Sequence, residues 1–196
     1  ICEVNNPLNC STISSTVVVS APAIVAVTET TPSVNGLPGG TTTALTGNDT
    51  LNGSPVVVGT AAGNVQITSS TVPVGSGLVV NADGTVTVPA NTPSGNYSVS
   101  YTICEVNNPL NCSTISSTVV VSAPAIVAVT ETTPSVNGLP GGTTTALTGN
   151  DTLNGSPVVV GTAAGNVQIT SSTVPVGSGL VVNADGTVTV PANTPS

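Results

Sequence analysis

The sequence predicts an all-β chain of two-layer antiparallel β-sandwiches arranged in tandem, and three observations carry that expectation. The chain repeats itself with a fixed period. Each period is a series of short Val-, Ile- and Thr-rich runs that alternate with a spacing of two and show no helical spacing. The residues available for a core are almost all aliphatic, with no Phe, Trp or Met and two Tyr.

The repeat comes first because it reorganises everything else. ICEVNNPLNC begins at Ile1 and again at Ile103, a period of 102 residues, and every residue from 103 to 196 equals its counterpart from 1 to 94. A unit of this size matches one sandwich of roughly 100 residues. The 196 residues fall eight short of two periods, so the chain is expected to be cut out of register with its own folding units.

Within one period the predicted strands are 23–30, 41–45, 55–58, 65–71, 78–80, 85–88, 96–106 and 112–122, seven or eight strands bounded by Gly, Pro, Asn and Asp clusters. Asn52-Gly53 and Asp83-Gly84 are the residue pairs that tight hairpins require, because both tolerate positive φ. Leu37-Pro38-Gly39-Gly40 and Pro93-Ser94-Gly95 mark longer connections, and Pro55 and Pro89 suit strand edges, where no ladder N–H is needed. Together these elements predict immunoglobulin-like antiparallel β-sandwich modules.

The stretch from Gly95 to Ala123 spans the seam between the written copies and reads as one long hairpin. Strand alternation puts Tyr97, Val99, Tyr101 and Ile103 on one face, and Ile115, Val119 and Val121 on the matching inner face of the return strand. Cys104 and Cys112 then share the outer, solvent face near the tip. A cross-strand disulfide Cys104–Cys112 follows, with Cys2–Cys10 as its copy, whereas cysteines on opposite faces could not meet. The hairpin also sets the expected boundaries. Residues 1–21 are the C-terminal hairpin of a preceding module, 22–123 a complete module, and 124–196 a following module lacking its final hairpin; Ser122-Ala123-Pro124-Ala125 is the linker. Two expectations stand side by side for the truncated module: it pairs with identical modules head-to-tail, in the same or a neighbouring chain, by strand exchange in which residues 1–21 of a neighbour supply the missing hairpin, or the 196 residues are a window on a longer continuous fibre.

Charge narrows the function. Lys+Arg is 0, His is 0 and Asp+Glu is 8, for a net charge of −8. Nucleic acid is excluded as a partner because no cation can replace the counterions of a phosphate backbone. The longest apolar run, 17–27, is broken by Ser20 and Pro22 and is too short for membrane insertion. Without His or Lys no Ser–His–Asp, Cys–His or Ser–Lys scheme can be assembled, so the chain is expected not to be an enzyme. No cofactor is predicted. Calcium is the one candidate, with Asn48, Asp49 and Asn52 as its nearest oxygen cluster, and a turn in which these side chains cap local amides is the preferred reading.

The order TGNDTLNGSPV followed by NADGTVTVPANTPSGNYSVSYTICEVNNPLNCSTISSTVVVSA resembles the tandem repeats of giant secreted surface adhesins of Bacteroidota-type bacteria, gliding-motility adhesins among them. The resemblance covers most of each period, and Asn48, Asp49, Asn52, Gly53, Cys104, Glu105, Asn108, Pro109 and Cys112 fall at the recurring positions. Asn91 stands where that family has glycine, and the family's scattered lysines are missing. The resemblance implies an exported stalk or filament of many modules at the cell surface. Two function classes follow: a structural repeat of an extracellular filament or extender stalk, or an adhesive module that binds a sugar or partner protein. The shortage of aromatic residues, from which such binding patches are built, favours the first.

Overall fold

The computed structural model describes residues 1–195, and among them every regular element is a β-strand. The chain begins with a small hairpin, β1 (Cys2–Glu3) and β2 (Asn6–Cys10), followed by an extended, fully exposed segment to residue 21. Ten strands follow in residues 22–123: β3 (Ile24–Val25), β4 (Val34–Asn35), β5 (Gly40–Thr41), β6 (Thr50–Leu51), β7 (Ser54–Pro55), β8 (Val65–Thr71), β9 (Val79–Val80), β10 (Val86–Val88), β11 (Gly95–Glu105) and β12 (Asn108–Ser122). Residues 124–195 carry six short ones: β13 (Ile126–Val127), β14 (Gly142–Thr143), β15 (Thr152–Leu153), β16 (Ser156–Pro157), β17 (Val181–Val182) and β18 (Val188–Val190).

The long hairpin is the spine of residues 22–123. β11 and β12 pair from Gly95↔Val121 to Cys104↔Cys112, and β11 also pairs with β8, giving a sheet in the order β4-β12-β11-β8. β4 joins it parallel, Val121 opposite Val34. Two smaller antiparallel sheets, β3-β6-β7 and β5-β10-β9, complete the unit. Val99, Tyr101, Ile103, Val119 and Val121 of the hairpin close over Val86 and Val88 of β10, with Leu45, Val65 and Leu78, in one buried cluster. These are the alternating residues of each strand, as a sheet with one buried face requires.

The expected strands 65–71, 85–88, 96–106 and 112–122 stand within a few residues of their predicted ends. In 41–45 the regular ladder stops at Thr41, although Thr42 and Leu45 N–H still donate to Val86 O at 3.0 Å and Gly84 O at 2.8 Å; the segment 23–30 forms a regular strand only over Ile24–Val25, because side chains take its next amides. Ser113 Oγ accepts from Ala26 N–H at 3.0 Å, Asp49 Oδ1 from Val27 at 2.7 Å and Ser117 Oγ from Glu29 at 3.0 Å. At Asn52-Gly53 both residues have positive φ, 52° and 77°, which closes the two-residue β6–β7 turn with the twist antiparallel strands need. Asn91 has φ 64°, a conformation asparagine tolerates better than most side chains.

Candidate functional site

Three features of the hairpin and its surroundings carry the chemistry of this chain: a disulfide-closed tip, a buried carboxylate latch, and the junction between the repeats.

Both disulfides form, Cys2–Cys10 and Cys104–Cys112, each with 4.1 Å between Cα atoms, and no described cysteine is left free. Paired cysteines of this kind point to an oxidising, non-cytoplasmic setting. One detail of the expectation is corrected: Cys104 does not face solvent but is only 5% exposed. β11 is an interior strand of its sheet, and the Thr68 hydroxyl on neighbouring β8 lies 3.2 Å from the Cys104 sulfur. Cys112, on the strand beyond, is exposed as expected. Below the tip, Asn111 Nδ2 donates to Pro22 O at 2.8 Å and to Glu105 Oε2 at 3.0 Å, tying the tip to the start of the unit.

The three candidate calcium ligands do not converge. Asn48 Nδ2 donates to Thr28 O at 3.3 Å, Asn52 occupies its turn, and Asp49 is fully buried beneath the hairpin. Asp49 Oδ1 accepts the Val27 amide at 2.7 Å, and Oδ2 accepts the Tyr101 hydroxyl at 2.9 Å; that hydroxyl also lies 2.7 Å from Leu45 O. In a chain without a single cationic side chain, N–H and O–H donors are what remain to stabilise a buried carboxylate. Burial raises the Asp49 carboxyl above its ordinary range, against the lowering effect of the Val27 and Tyr101 hydrogen bonds. Burial, then the nearby Asp49 charge, raises Glu29 as well, and burial with the Asp49 hydrogen bond pushes the Tyr101 phenol far up. Asp83 behaves as its turn predicts: Thr85 O–H and N–H both donate to Oδ1, at 2.7 and 3.0 Å, and hold its carboxyl below the usual range.

The latch was missed by sequence reasoning, although a signal existed. Tyr101 falls on the core-facing side of β11, and a buried tyrosine hydroxyl needs a partner. The preferred turn reading is thereby corrected for Asp49: its carboxylate caps no amide of its own turn but takes the distant Val27 N–H and Tyr101 O–H.

At the junction, Ser122 ends β12, and Ala123, Pro124 and Ala125 form a short extended connection to β13. Asn154 N–H takes Ala125 O at 2.7 Å, and Asn35 Nδ2 donates to Asn154 Oδ1 at 2.8 Å across the two repeats. A Cβ on Gly165 would lie 3.0 Å from Asn91 Oδ1 and 3.4 Å from Leu37 Cδ1, so the repeats touch closely there. Beside this contact lies an open groove of about 700 Å³, walled by Ile126, Leu153, Val158, Val167 and Ile169 on one side and Leu37 on the other.

No protein-family model matches the chain. No curated protein matches it either.

Proposed function

We propose that this chain is a non-catalytic structural repeat of an extracellular filament or extender stalk of a large bacterial surface adhesin, built from immunoglobulin-like modules joined head-to-tail. The observation that carries this reading is the 102-residue period without one substitution between copies, in a chain whose functional groups are spent on its own fold. Identical units in series give a reach that grows with copy number and ask each unit to contact only its neighbours.

Several features support it. The sheet order β4-β12-β11-β8, with its terminal hairpin flanked by a middle strand, is compatible with the three-stranded layer of an immunoglobulin-like sandwich. On this reading residues 22–123 are one module, 1–21 the end of one and 124–196 the start of another. Three connecting residues, one of them proline, with the Asn35–Asn154 hydrogen bond reaching across them, favour a semi-rigid chain of modules over a freely jointed one. The disulfides favour a setting outside the cytoplasm, and a surface whose side-chain charges are all negative opposes collapse of parallel stalks onto one another.

Electron microscopy of native material, with intact mass, tests the reading. Thin fibres with an axial repeat of one module, and a mass many times the 18.8 kDa of these residues, are the expected result. Discrete particles in which the repeats enclose a bound sugar or partner protein would sink it and favour an adhesive module.

A further inference from the structure

Each repeat ends in a small uncharged surface that its own sequence builds. Asn35 Oδ1 accepts the Leu37 N–H at 3.0 Å, and in the next copy Asn137 Oδ1 accepts the Leu139 N–H at 3.0 Å. The carboxamide is thereby turned the same way in both settings, because an oxygen engaged by an N–H leaves Nδ2 free to donate elsewhere. Leu37 O in turn accepts the Asn91 N–H at 3.1 Å, and Leu139 O the Asn193 N–H at 3.2 Å, so Asn35, Leu37 and Asn91 are held together at one end of the unit. Asn91 has φ 64°, a conformation glycine adopts at lower cost; asparagine places a carboxamide at that end.

The opposite end of a repeat offers the complement. The Asn52-Gly53 turn and the turn ending at Asn64 recur at Asn154-Gly155 and Asn166 with unchanged geometry: Asn52 N–H donates to Ala23 O and Asn154 N–H to Ala125 O, both at 2.7 Å, and Gly63 and Gly165 share φ 84°. These turns hold the same shape with and without the β11–β12 hairpin, so the surface they make belongs to every copy. At the internal seam the two ends meet. Asn35 Nδ2 donates to Asn154 Oδ1 at 2.8 Å, and Gly165 sits so close that a Cβ there would lie 3.0 Å from Asn91 Oδ1 and 3.4 Å from Leu37 Cδ1. The connection is clamped on both sides. Gly36 N–H holds Ser122 O at 3.0 Å, Asn154 N–H holds Ala125 O at 2.7 Å, and the Asn35–Asn154 bond joins the two clamps into one ring.

We infer that this contact is a built clasp between consecutive repeats, with Asn35 as donor, Asn154 as acceptor and the bare Gly165 seated against Leu37 and Asn91, and that it fixes one orientation of each repeat on the one before it. Between these two repeats the clasp stands on the geometry; beyond them it rests on the tandem-array reading. A short connection limits how far two modules separate, yet relative motion is the ordinary expectation across a small contact between domains. Two things oppose that motion here. Donor, acceptor and glycine all lie on tight, internally bonded turns, and the short tether keeps the two ends at high effective concentration, so that a few weak contacts suffice. None of Asn35, Leu37, Asn91, Asn154 and Gly165 is charged, so two acidic units meet where neither brings a carboxylate. The partner of each end is the other end of an identical repeat. Carried from module to module with the same geometry, such a head-to-tail contact generates a screw with one constant step.

Residual dipolar couplings of the backbone amides, measured on the 196-residue chain in a weakly aligning medium, test whether 22–123 and 124–195 share one alignment tensor. A shared tensor is the expected result. Asn154→Gly keeps the positive-φ turn and removes only the acceptor, which should lower the ratio of docked to undocked chains by about two- to tenfold, the net worth of one hydrogen bond. Gly165→Ala adds a methyl group against Asn91 and Leu37, and N154G/G165A together should give two independent tensors. N52G/G63A makes the same changes with the same strain at φ 84°, but the Cβ on residue 63 meets no described atom within 4 Å, and the shared tensor should persist. The chain lengthened by a copy of 95–123 after Ser196 sets the same seam between two complete repeats and should show the shared tensor as well. Independent tensors in the parent or in the lengthened chain overturn the clasp. So does an N154G/G165A variant that orients as the parent does, or an N52G/G63A variant that loses the shared tensor, since strain alone would then account for the loss. Each of these leaves a jointed stalk standing, whereas discrete particles in place of fibres remove the stalk and leave the clasp between these two repeats in place.

Discussion

Residues 22–93 and 124–195 are the same 72 letters folded in two settings, one beneath the β11–β12 hairpin and one without it. What they share is local. Asn52 and Asn154 both have φ 52°, Asn91 and Asn193 both have φ 64°, and Gly84 and Gly186 differ by two degrees. The small sheets β3-β6-β7 and β5-β10-β9 recur as β13-β15-β16 and β14-β18-β17, pairing for pairing. What they do not share are the strands that pair with the hairpin and the burial it provides. β4 and β8 have no counterpart strands in 124–195; the seven residues of β8 are reduced to a single bridge at Val167. Leu45 is 0% exposed and Leu147 37%, and Asp49 is fully buried where Asp151 is half-buried. Turns and two-strand ladders form wherever their own sequence is present. A strand whose only ladder partner lies far along the chain exists only when that partner arrives.

The comparison can be broken most directly by abolishing it. Copying residues 95–123 onto the chain after Ser196 should convert 124–196 into a second unit like 22–123. Amide exchange at Val167 and Leu147 should then slow at least about 100-fold, as these amides move from local fraying to global opening. Unchanged exchange would show that a covering hairpin is not what separates the two halves.

Matched substitutions sharpen it. Asp49→Ala leaves the Val27 amide without its acceptor and the Tyr101 hydroxyl with only Leu45 O, and should destabilise 22–123 by about 2 kcal/mol. Asp151→Ala, where Oδ1 takes only the Val129 amide at an exposed edge, should cost under about 1 kcal/mol in the exchange of 124–196. Equal effects in calorimetry and exchange would remove the latch from the account. The disulfides give a second matched pair. C104S/C112S should lower the stability of 22–123 by about 2 kcal/mol, the entropy of closing so short a loop, while C2S/C10S should leave that transition unmoved.

The smallest effect is on pH. Asp49 and Glu29 have folded-state values raised above those of the unfolded chain, chiefly by burial. Such groups add stability below the unfolded carboxylate value of about 4, and that stability is lost as pH rises through the raised values. There is no Lys, Arg or His whose ion pairs acid could break. Residues 22–123 should therefore melt higher at mildly acidic than at neutral pH, and Asp49→Asn should flatten the dependence. A melting temperature that falls on acidification would reverse the sign of the argument.

Much of this was legible in the letters. The seam-crossing hairpin, the inward set Val99, Tyr101, Ile103, Val119 and Val121, the cysteine pairing and the Asn52-Gly53 turn all follow from period-two parity and turn chemistry. β4 and β6 were not legible, because Val34-Asn35 and Thr50-Leu51 are two-residue pairings too short for any alternation. The burial of Cys104 was missed for a related reason: parity assigns a face, but whether that face is wet depends on the neighbouring strand.

The sequence alone determined the period, the turns, the parity of each strand and the absence of cationic chemistry, since all of these are properties of a residue and its near neighbours. The tertiary structure decided where Asp49 finds its donors, that β8 covers Cys104, and which amides of 23–30 bond to side chains instead of a neighbouring strand. Ladder hydrogen bonds and apolar burial are made by pairs of segments, and a segment cannot specify from within itself whether its partner is present.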